Sequence, residues 1–390
     1  MKQRHAIQQG SLLDMPSTER KECMPSQPEI EKKMSRLEEL IAELCPDGVE
    51  YKQLSEILTI KNGKDYKEFN SGNIPVYGSG GIIAYIDTFV YDKPSVLLPR
   101  KGSIDKIYYV DCPFWTVDTI FYTKINRNIV LEKYVFYAIQ VQHIEKLNTG
   151  GGVPSLTQSI LNKILIPIPP LPIQEEIVRI LDKFTELTAE LTAELTKRKQ
   201  QYQYYRDIIL SGVSKVTKQK LGEVCAFKYG KGNTIPKEDG IYPVYGSNGI
   251  VGKTNEYNNQ DAPIIGHIGS AGIVNWGYGK HFVTYNGTMC IPNNKKIISK
   301  YSYYLLQSLY LDRRIKGNQP YLSVSDFIDI DVSIPPLEEQ KRIVSILDRF
   351  DALCNDLTSG LPAEIAARKK QYEYYRDKLL SFPEKPSVRS

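Results

Sequence analysis

Two short runs carry the side chains best suited to hold an anion or the edge of a heterocycle. They are Pro99-Arg100-Lys101-Gly102-Ser103, with Lys106 just beyond, and Gly266-His267-Ile268-Gly269-Ser270, with Asn275 just beyond. Arginine and lysine donate to guanine edges or to phosphate, and asparagine pairs with adenine. Nucleic-acid recognition therefore suits Arg100, Lys101, Ser103 and Lys106 in the first run and His267, Ser270 and Asn275 in the second. Lys61, Lys64, Lys228 and Lys231 suit phosphate contacts, although a single lysine is more often a solvated surface charge. A second pair of runs, Pro75-Val76-Tyr77-Gly78-Ser79 and Pro243-Val244-Tyr245-Gly246-Ser247, the latter continuing into Asn248, offers hydroxyls and an amide in a glycine setting. Tyr77, Ser79, Tyr245, Ser247 and Asn248 either touch DNA or form a hairpin that both halves share. Because the two runs are alike, they are poor tools for reading different sequences.

Catalysis finds little support. Gly246 to Thr254 looks like a phosphate-binding loop, but it has five residues between its first glycine and the Gly-Lys-Thr where four are needed; a turn between strands is expected. There is no Asn- or Asp-Pro-Pro-aromatic run of an amino-methyltransferase, no glycine fingerprint for a methyl donor and no nuclease carboxylate cluster. His5, His143, His267 and His281 show no ligand spacing, and six scattered cysteines without a C-x-x-C point to reduced thiols and no metal site.

A chain of 390 residues, 41% hydrophobic and 10% aromatic, is globular and long enough for two or three domains. Its net charge of +5, from 50 basic and 45 acidic residues, permits a nucleic-acid partner without requiring one. No apolar run spans a membrane and no signal-peptide core opens the chain, so a cytoplasmic protein is expected. Residues 1–33, broken by Pro16, Pro25 and Pro28, read as a disordered tail, with Met34 a possible native start and a short amphipathic helix from Ser35.

The elements that must position these residues occur twice. I-P-P-L-P-I-Q-E-E-I-V-R-I-L-D-K-F, Ile168 to Phe184, returns as I-P-P-L-E-E-Q-K-R-I-V-S-I-L-D-R-F, Ile334 to Phe350. R-K-Q-Q-Y-Q-Y-Y-R-D-I-I-L, ending at Leu210, returns as R-K-K-Q-Y-E-Y-Y-R-D-K-L-L, ending at Leu380. Prolines at the head of each copy suit a first helical turn. Apolar residues recur at three and four through Ile177, Ile180, Phe184, Leu187 and Leu191, and through Ile343, Ile346 or Leu347, Phe350, Leu353 and Leu357, which predicts two long helices paired antiparallel along a coiled-coil seam. The second has four more residues between Asp348 and Arg368 than the first has between Asp182 and Arg198, which reads as a stutter near Leu357 to Pro362.

The regions between are also copies, offset by roughly 167 residues. Gly63-Lys64 aligns with Gly230-Lys231, and Pro154-x-Leu156 with Pro320-x-Leu322. Both read as compact α/β or α+β domains with short strands and one helical run, Leu131 to Leu147 and Tyr301 to Leu311. The expected order is a tail, 1–33; a first recognition domain, 34–167; a helical spacer, 168–217; a second domain, 218–333; a second spacer, 334–382; and a C-terminal tail, 383–390.

From Met34 onward the chain resembles the specificity subunits of type I restriction-modification systems, through two variable domains alternating with P-P-L-x-x-Q-x-x-I-V-x-I-L-D-x-F and Q-Y-x-Y-Y-R-D helical regions. The resemblance implies a non-catalytic subunit whose two target-recognition domains each read half of a split, asymmetric double-stranded DNA target. It implies two modification (methyltransferase) subunits as partners, with restriction subunits joining through them; S-adenosylmethionine, ATP and Mg would belong to those partners. Tyr204, Tyr205, Arg206, Tyr374, Tyr375 and Arg376 are then expected to form the outward docking patches. A helix from Gln174 to Leu210 would be roughly 55 Å long, a suitable ruler between half-sites, and loss of one T-A-E-L tetrapeptide would shift the gap by about one to two base pairs. A coiled-coil scaffold for protein partners, or a silent specificity cassette, is the alternative.

Overall fold

A computed structural model of the chain describes residues 27–148, 151–232, 240–315, 320–355 and 360–386. The chain divides into two compact units, one comprising residues up to Thr188 together with those from Arg368 onward, the other Ala189–Ala367.

The first unit opens with α1 (Gln27–Leu44), so helix begins within the stretch expected to be a loose tail; the remainder of that stretch lies outside the described residues. There follow β1 (Glu50–Gln53), α2 (Leu54–Ile57), β2 (Leu58–Asn62), β3 (Ser71–Gly78), β4 (Gly81–Ile86), β5 (Ser95–Pro99), β6 (Tyr108–Val110), β7 (Trp115–Thr116), β8 (Ile120–Ile125), α3 (Glu132–Val141), α4 (Gln158–Leu161), β9 (Leu165–Ile168) and the long α5 (Leu171–Ser211). Strands β2-β8-β5-β6 form one sheet, β4-β3-β7 a second, and β1 pairs with β9. The helical run expected to Leu147 stops at Val141, because His143 takes a left-handed φ of 47° and a 3-10 turn follows. The core joins Val96, Leu98 and Phe121 of the sheet to Tyr134, Val135 and Ala138 of α3 and to Ile177, Leu181 and Phe184 of α5. Residues near the C-terminus are pinned to the start of this domain: Val49 N–H donates to Pro383 O at 2.9 Å, Lys385 N–H to Val49 O at 2.9 Å, and Tyr51 Oη to Phe382 O at 2.8 Å.

The second unit repeats the plan with β10 (Thr217–Lys220), α6 (Leu221–Val224), β11 (Cys225–Tyr229), β12 (Tyr242–Gly246), β13 (Gly249–Thr254), β14 (Asn259–Gly266), β15 (Val274–Val283), β16 (Gly287–Pro292), α7 (Ser299–Ser308), β17 (Asp331–Ile334) and α8 (Leu337–Asn355). Here six strands form one sheet, β11-β16-β14-β15-β12-β13. The parallel pairing that is the unusual step of this topology occurs in both units, Val76 with Trp115 and Val244 with Phe282. The chain resumes as α9 (Leu361–Leu379), whose later part lies in the first unit. The second helical region is described as two helices, α8 and α9; of the expected stutter, Leu357 to Pro362, residues 357–359 and with them Leu357 of the seam lie outside the described residues, while Leu361 and Pro362 open α9.

Each unit contains a helix–helix contact, and in the second the order of contacts is antiparallel. In the first, Phe184 of α5 stacks on Tyr375 of α9 at 5.3 Å. In the second, Tyr205 of α5 stacks on Phe350 of α8 at 6.3 Å, and the earlier Arg198 and Lys199 face the later Cys354. The five described cysteines are free, and among the described residues no helix is long and apolar enough to cross a membrane.

Candidate nucleic-acid interface

The two Tyr-Gly-Ser runs are hairpin turns. Gly78 faces Gly81 across Ser79-Gly80, and Gly246 faces Gly249 across Ser247-Asn248; this also disposes of the phosphate-loop likeness at Gly246. Each turn abuts the loop that follows the next strand. A Cβ placed on Gly102 would lie 3.2 Å from Ser79 Oγ, and one on Gly269 would lie 3.4 Å from Ser247 Oγ. Both glycines hold left-handed φ, 84° and 86°, a conformation that disfavours side chains. Both loops are tied down alike. Gly102 N–H donates to Pro154 O and Gly269 N–H to Pro320 O, each at 3.0 Å, while Leu156 N–H returns to Arg100 O at 2.8 Å and Leu322 N–H to His267 O at 3.0 Å. The Pro-x-Leu repeat is thus a backbone anchor for the candidate reading loop.

Within that frame the predicted residues part company. Lys61, Lys64, Lys101, Lys106, Lys228, Lys231 and Asn248 are exposed, Ser79, Ser103, Ser247 and Ser270 partly so. None of the six lysines has an ion-pair partner among the described residues, so all remain available to an outside anion. Lys64 and Lys231 are fixed through their backbones, with N–H groups donating to Thr116 O and Val283 O at 2.8 and 3.0 Å. Arg100 is half-buried, donating to Asp118 O at 3.1 Å with its guanidinium 6.0 Å above the Phe121 ring.

Four expected contact residues are corrected. His267 is only 1% exposed, its Nδ1–H donating to Leu322 O at 2.8 Å, while its Nε2 is buried without a partner among the described residues. Burial beneath Tyr229, Tyr321 and Tyr285, at 4.3, 4.9 and 5.3 Å between rings, removes it from the surface. Tyr245 is buried against the His281 ring, and Tyr77 packs on Tyr108 and Phe114, where desolvation pushes its phenol pKa up. Asn275 is half-buried in β15 opposite Ile264, its amide nitrogen sealed without a partner among the described residues.

The duplicated helix motifs have a different task. Gln174 and Gln340 are wholly buried. Gln174 Oε1 accepts from Leu131 N at 2.9 Å, and its Nε2 donates to Ile129 O and Pro169 O at 3.1 and 2.8 Å. Gln340 repeats this with Ile298 N at 2.8 Å, Lys296 O at 2.9 Å and Pro335 O at 2.8 Å. Leu131 and Ile298 are the residues just before α3 and α7, helices without a side-chain cap of their own; each motif glutamine caps a helix of the neighbouring domain. About two turns on, Asp182 holds Lys133 Nζ and Tyr137 Oη, both at 2.6 Å. Asp348 likewise accepts from Tyr304 Oη and lies 3.7 Å from Lys300 Nζ, whose burial among aromatic rings lowers its pKa. These four residues mark the repeat in the sequence, but their role is not legible there, because apart from Pro169 O and Pro335 O the groups they bond lie more than forty residues away.

The docking patch is smaller than expected. Tyr204 and Tyr374 are each 63% exposed. Arg206 is buried at 4%, bonding Tyr310 Oη at 3.1 Å and Asp207 at 2.9 Å, so it is a correction: an interior charge rather than an outward one. Tyr205 and Tyr375 are corrected too, being stacked on Phe350 and Phe184, while Arg376 is largely covered and paired with Asp377. Tyr202 and Tyr372 face inward, where burial pushes the Tyr372 phenol up to about 12. Among the described residues no group of His, Cys, Asp and Glu could hold a metal.

A sequence model described as the type I restriction modification DNA specificity domain matches residues 46–198 and again 214–367. A type I restriction enzyme specificity subunit of Haemophilus influenzae is 31% identical over 371 residues, covering 86% of this chain and 96% of the relative. One from Escherichia coli is 33% identical over 302 residues, covering 68% and 74%. In fold the chain is similar to the type I restriction-modification S subunit of M. genitalium, at a TM-score of 0.57 and 20% identity over 85% of this chain and 96% of that one. A duplicated frame, duplicated helix clamps and these likenesses agree: the chain belongs to the type I restriction-modification specificity subunit family.

Proposed function

We propose that this chain is the DNA sequence-recognition subunit of a type I restriction-modification complex, each domain reading one half of a split, asymmetric target. The observation that carries this is one backbone frame built twice, Gly102 and Gly269 locked to Pro154 and Pro320 at the same 3.0 Å, with different side chains displayed on it. A reader of two unlike half-sites needs such a pair; a scaffold for protein partners does not.

The subunit makes and breaks no bonds. Two modification subunits dock on the helical regions through Tyr204 and Tyr374, and restriction subunits join through them. S-adenosylmethionine, ATP and Mg are bound by those partners, and the complex works in the cytoplasm. The exposed Lys61, Lys64, Lys228 and Lys231 hold phosphates. The length of α5 sets the gap, so a chain lacking Thr192 to Leu195 should read the same halves with a gap changed by about one to two base pairs. The decisive experiment is long-read mapping of DNA methylation in cells carrying this chain with its modification partner. A split methylated motif that disappears when the chain is deleted is expected; a formed complex that writes no such motif would refute the reading.

A further inference from the structure

The loop tips of the two domains coincide in backbone but not in chemistry. Lys101 makes a bridge with Ser155, and Ile268 makes the same bridge with Tyr321. Around Ile268, which is 38% exposed, stand Tyr229, Tyr285 and Tyr321, exposed by 37, 40 and 46%. The ladder pairings Asn62 with Phe121 and Tyr229 with Thr288 set the register; by it, the first domain has Asn62, Asp118 and Ser155 where the second has the three tyrosines, and Arg100 where it has His267. The imidazole fills the space between the rings, so the trio is a platform rather than an open cage. Its tyrosines are held in place: Tyr321 Oη bonds Ser323 Oγ at 2.5 Å, and Tyr229 Oη accepts from Val324 N at 3.2 Å.

Resting on the recognition role proposed above, we infer that Ile268 and the Tyr229, Tyr285, Tyr321 platform are the specificity-determining surface of the second domain, that it selects an A·T pair, and that Lys101 at the matching tip selects guanine. In the major groove an A·T pair is marked by the thymine C5-methyl, which apolar side chains contact, whereas guanine presents two acceptors, N7 and O6, to a cation. Among the described residues, Ile268 and the three tyrosines of the second tip offer apolar and aromatic atoms and no charge, and His267 is sealed beneath them. The first offers an exposed ammonium beside the Arg100 guanidinium.

The test assembles the full chain with its modification subunits and maps methylated motifs for the parent, Ile268→Lys and Lys101→Ile. Ile268→Lys should relax or switch one A·T position in one half of the motif, by about tenfold or more in preference, and leave the other half untouched. Lys101→Ile should act only on the opposite half, at a G·C position. An unchanged motif in Ile268→Lys, a change at a G·C pair, or loss of all methylation by a complex that melts like the parent would overturn the assignment. Should Ile268→Lys not assemble, Ile268→Ala, a truncation at an exposed position, decides the same question by whether that A·T preference falls. A parent complex that writes no split motif would instead sink the recognition role itself, whatever the variants do.

Discussion

The two domains share a topology yet close their sheets differently, and one short segment accounts for it. In the first, β6 ends at Val110 and β7 starts at Trp115, with Asp111-Cys112-Pro113-Phe114 between, leaving sheets of four and three strands. Proline cannot donate to a ladder and interrupts a central strand. In the second, the strand runs unbroken from Val274 to Val283. It absorbs the same bend through a register shift opposite Gln260 and Ala262, where Asp261 has a φ of 41° and accepts from Gly279 N at 2.7 Å. A break and a bulge are two solutions to one geometric demand: the strand must leave β5 or β14 and pair with β3 or β12. The frame is retained because loops and clamps at its edges hold it, and the interior strand is free to vary.

The largest effects that would break the likeness belong to the glutamine clamps. Gln174→Ala leaves Leu131 N, Ile129 O and Pro169 O without their partner and should cost about 3 to 5 kcal/mol, seen in urea melts as early unfolding of the first domain. Gln340→Ala should do the same to the second. Equal losses on one transition, with the other unmoved, would show that each helix motif serves its own domain.

Smaller effects sharpen the difference between the domains. Tyr310 takes the left-handed position that His143 holds in the first domain, and it alone reaches an Arg-Asp pair, bonding Arg206 at 3.1 Å and Asp207 at 2.5 Å. Tyr310→Phe should therefore cost about 2 kcal/mol in chemical denaturation, while His143→Phe, at an exposed site, should stay within about 0.5 kcal/mol. Next come Tyr134 and Tyr301, both fully buried. Tyr134 Oη donates to Pro167 O at 2.9 Å, whereas Tyr301 Oη has no partner among the described residues. Tyr134→Phe should cost about 1 kcal/mol, and Tyr301→Phe should be neutral or raise the melting temperature.

The smallest change in stability, under about 0.5 kcal/mol, is expected for Tyr204→Ala and Tyr374→Ala. The pair should nevertheless lower retention of modification subunits on a gel-filtration column. Retention equal to the parent's would place the docking surface elsewhere on the helices.

Periodicity and proline placement announced α5 and α8 and the duplication, because helical spacing and helix starts are local properties of a chain. The turn nature of Gly246-Ser247-Asn248-Gly249 and the equivalence of the Arg100 and His267 loops were legible for the same reason, as short runs at a constant offset. What needed the folded molecule was which side of each loop faces out. His267 and Arg206 have the residue types of surface contacts and are buried, one under three rings and the other against Tyr310. Ile268 and Tyr321 have the types of core residues and stand exposed. Burial is set by strands and helices that arrive from distant parts of the chain, such as Leu322 reaching back to His267 and Gln340 to Ile298. The sequence by itself determined the repeat, the helices and the family; only the tertiary structure decided which members of each repeat hold the frame and which are left to meet DNA, because solvent exposure is a property of long-range packing and not of spacing.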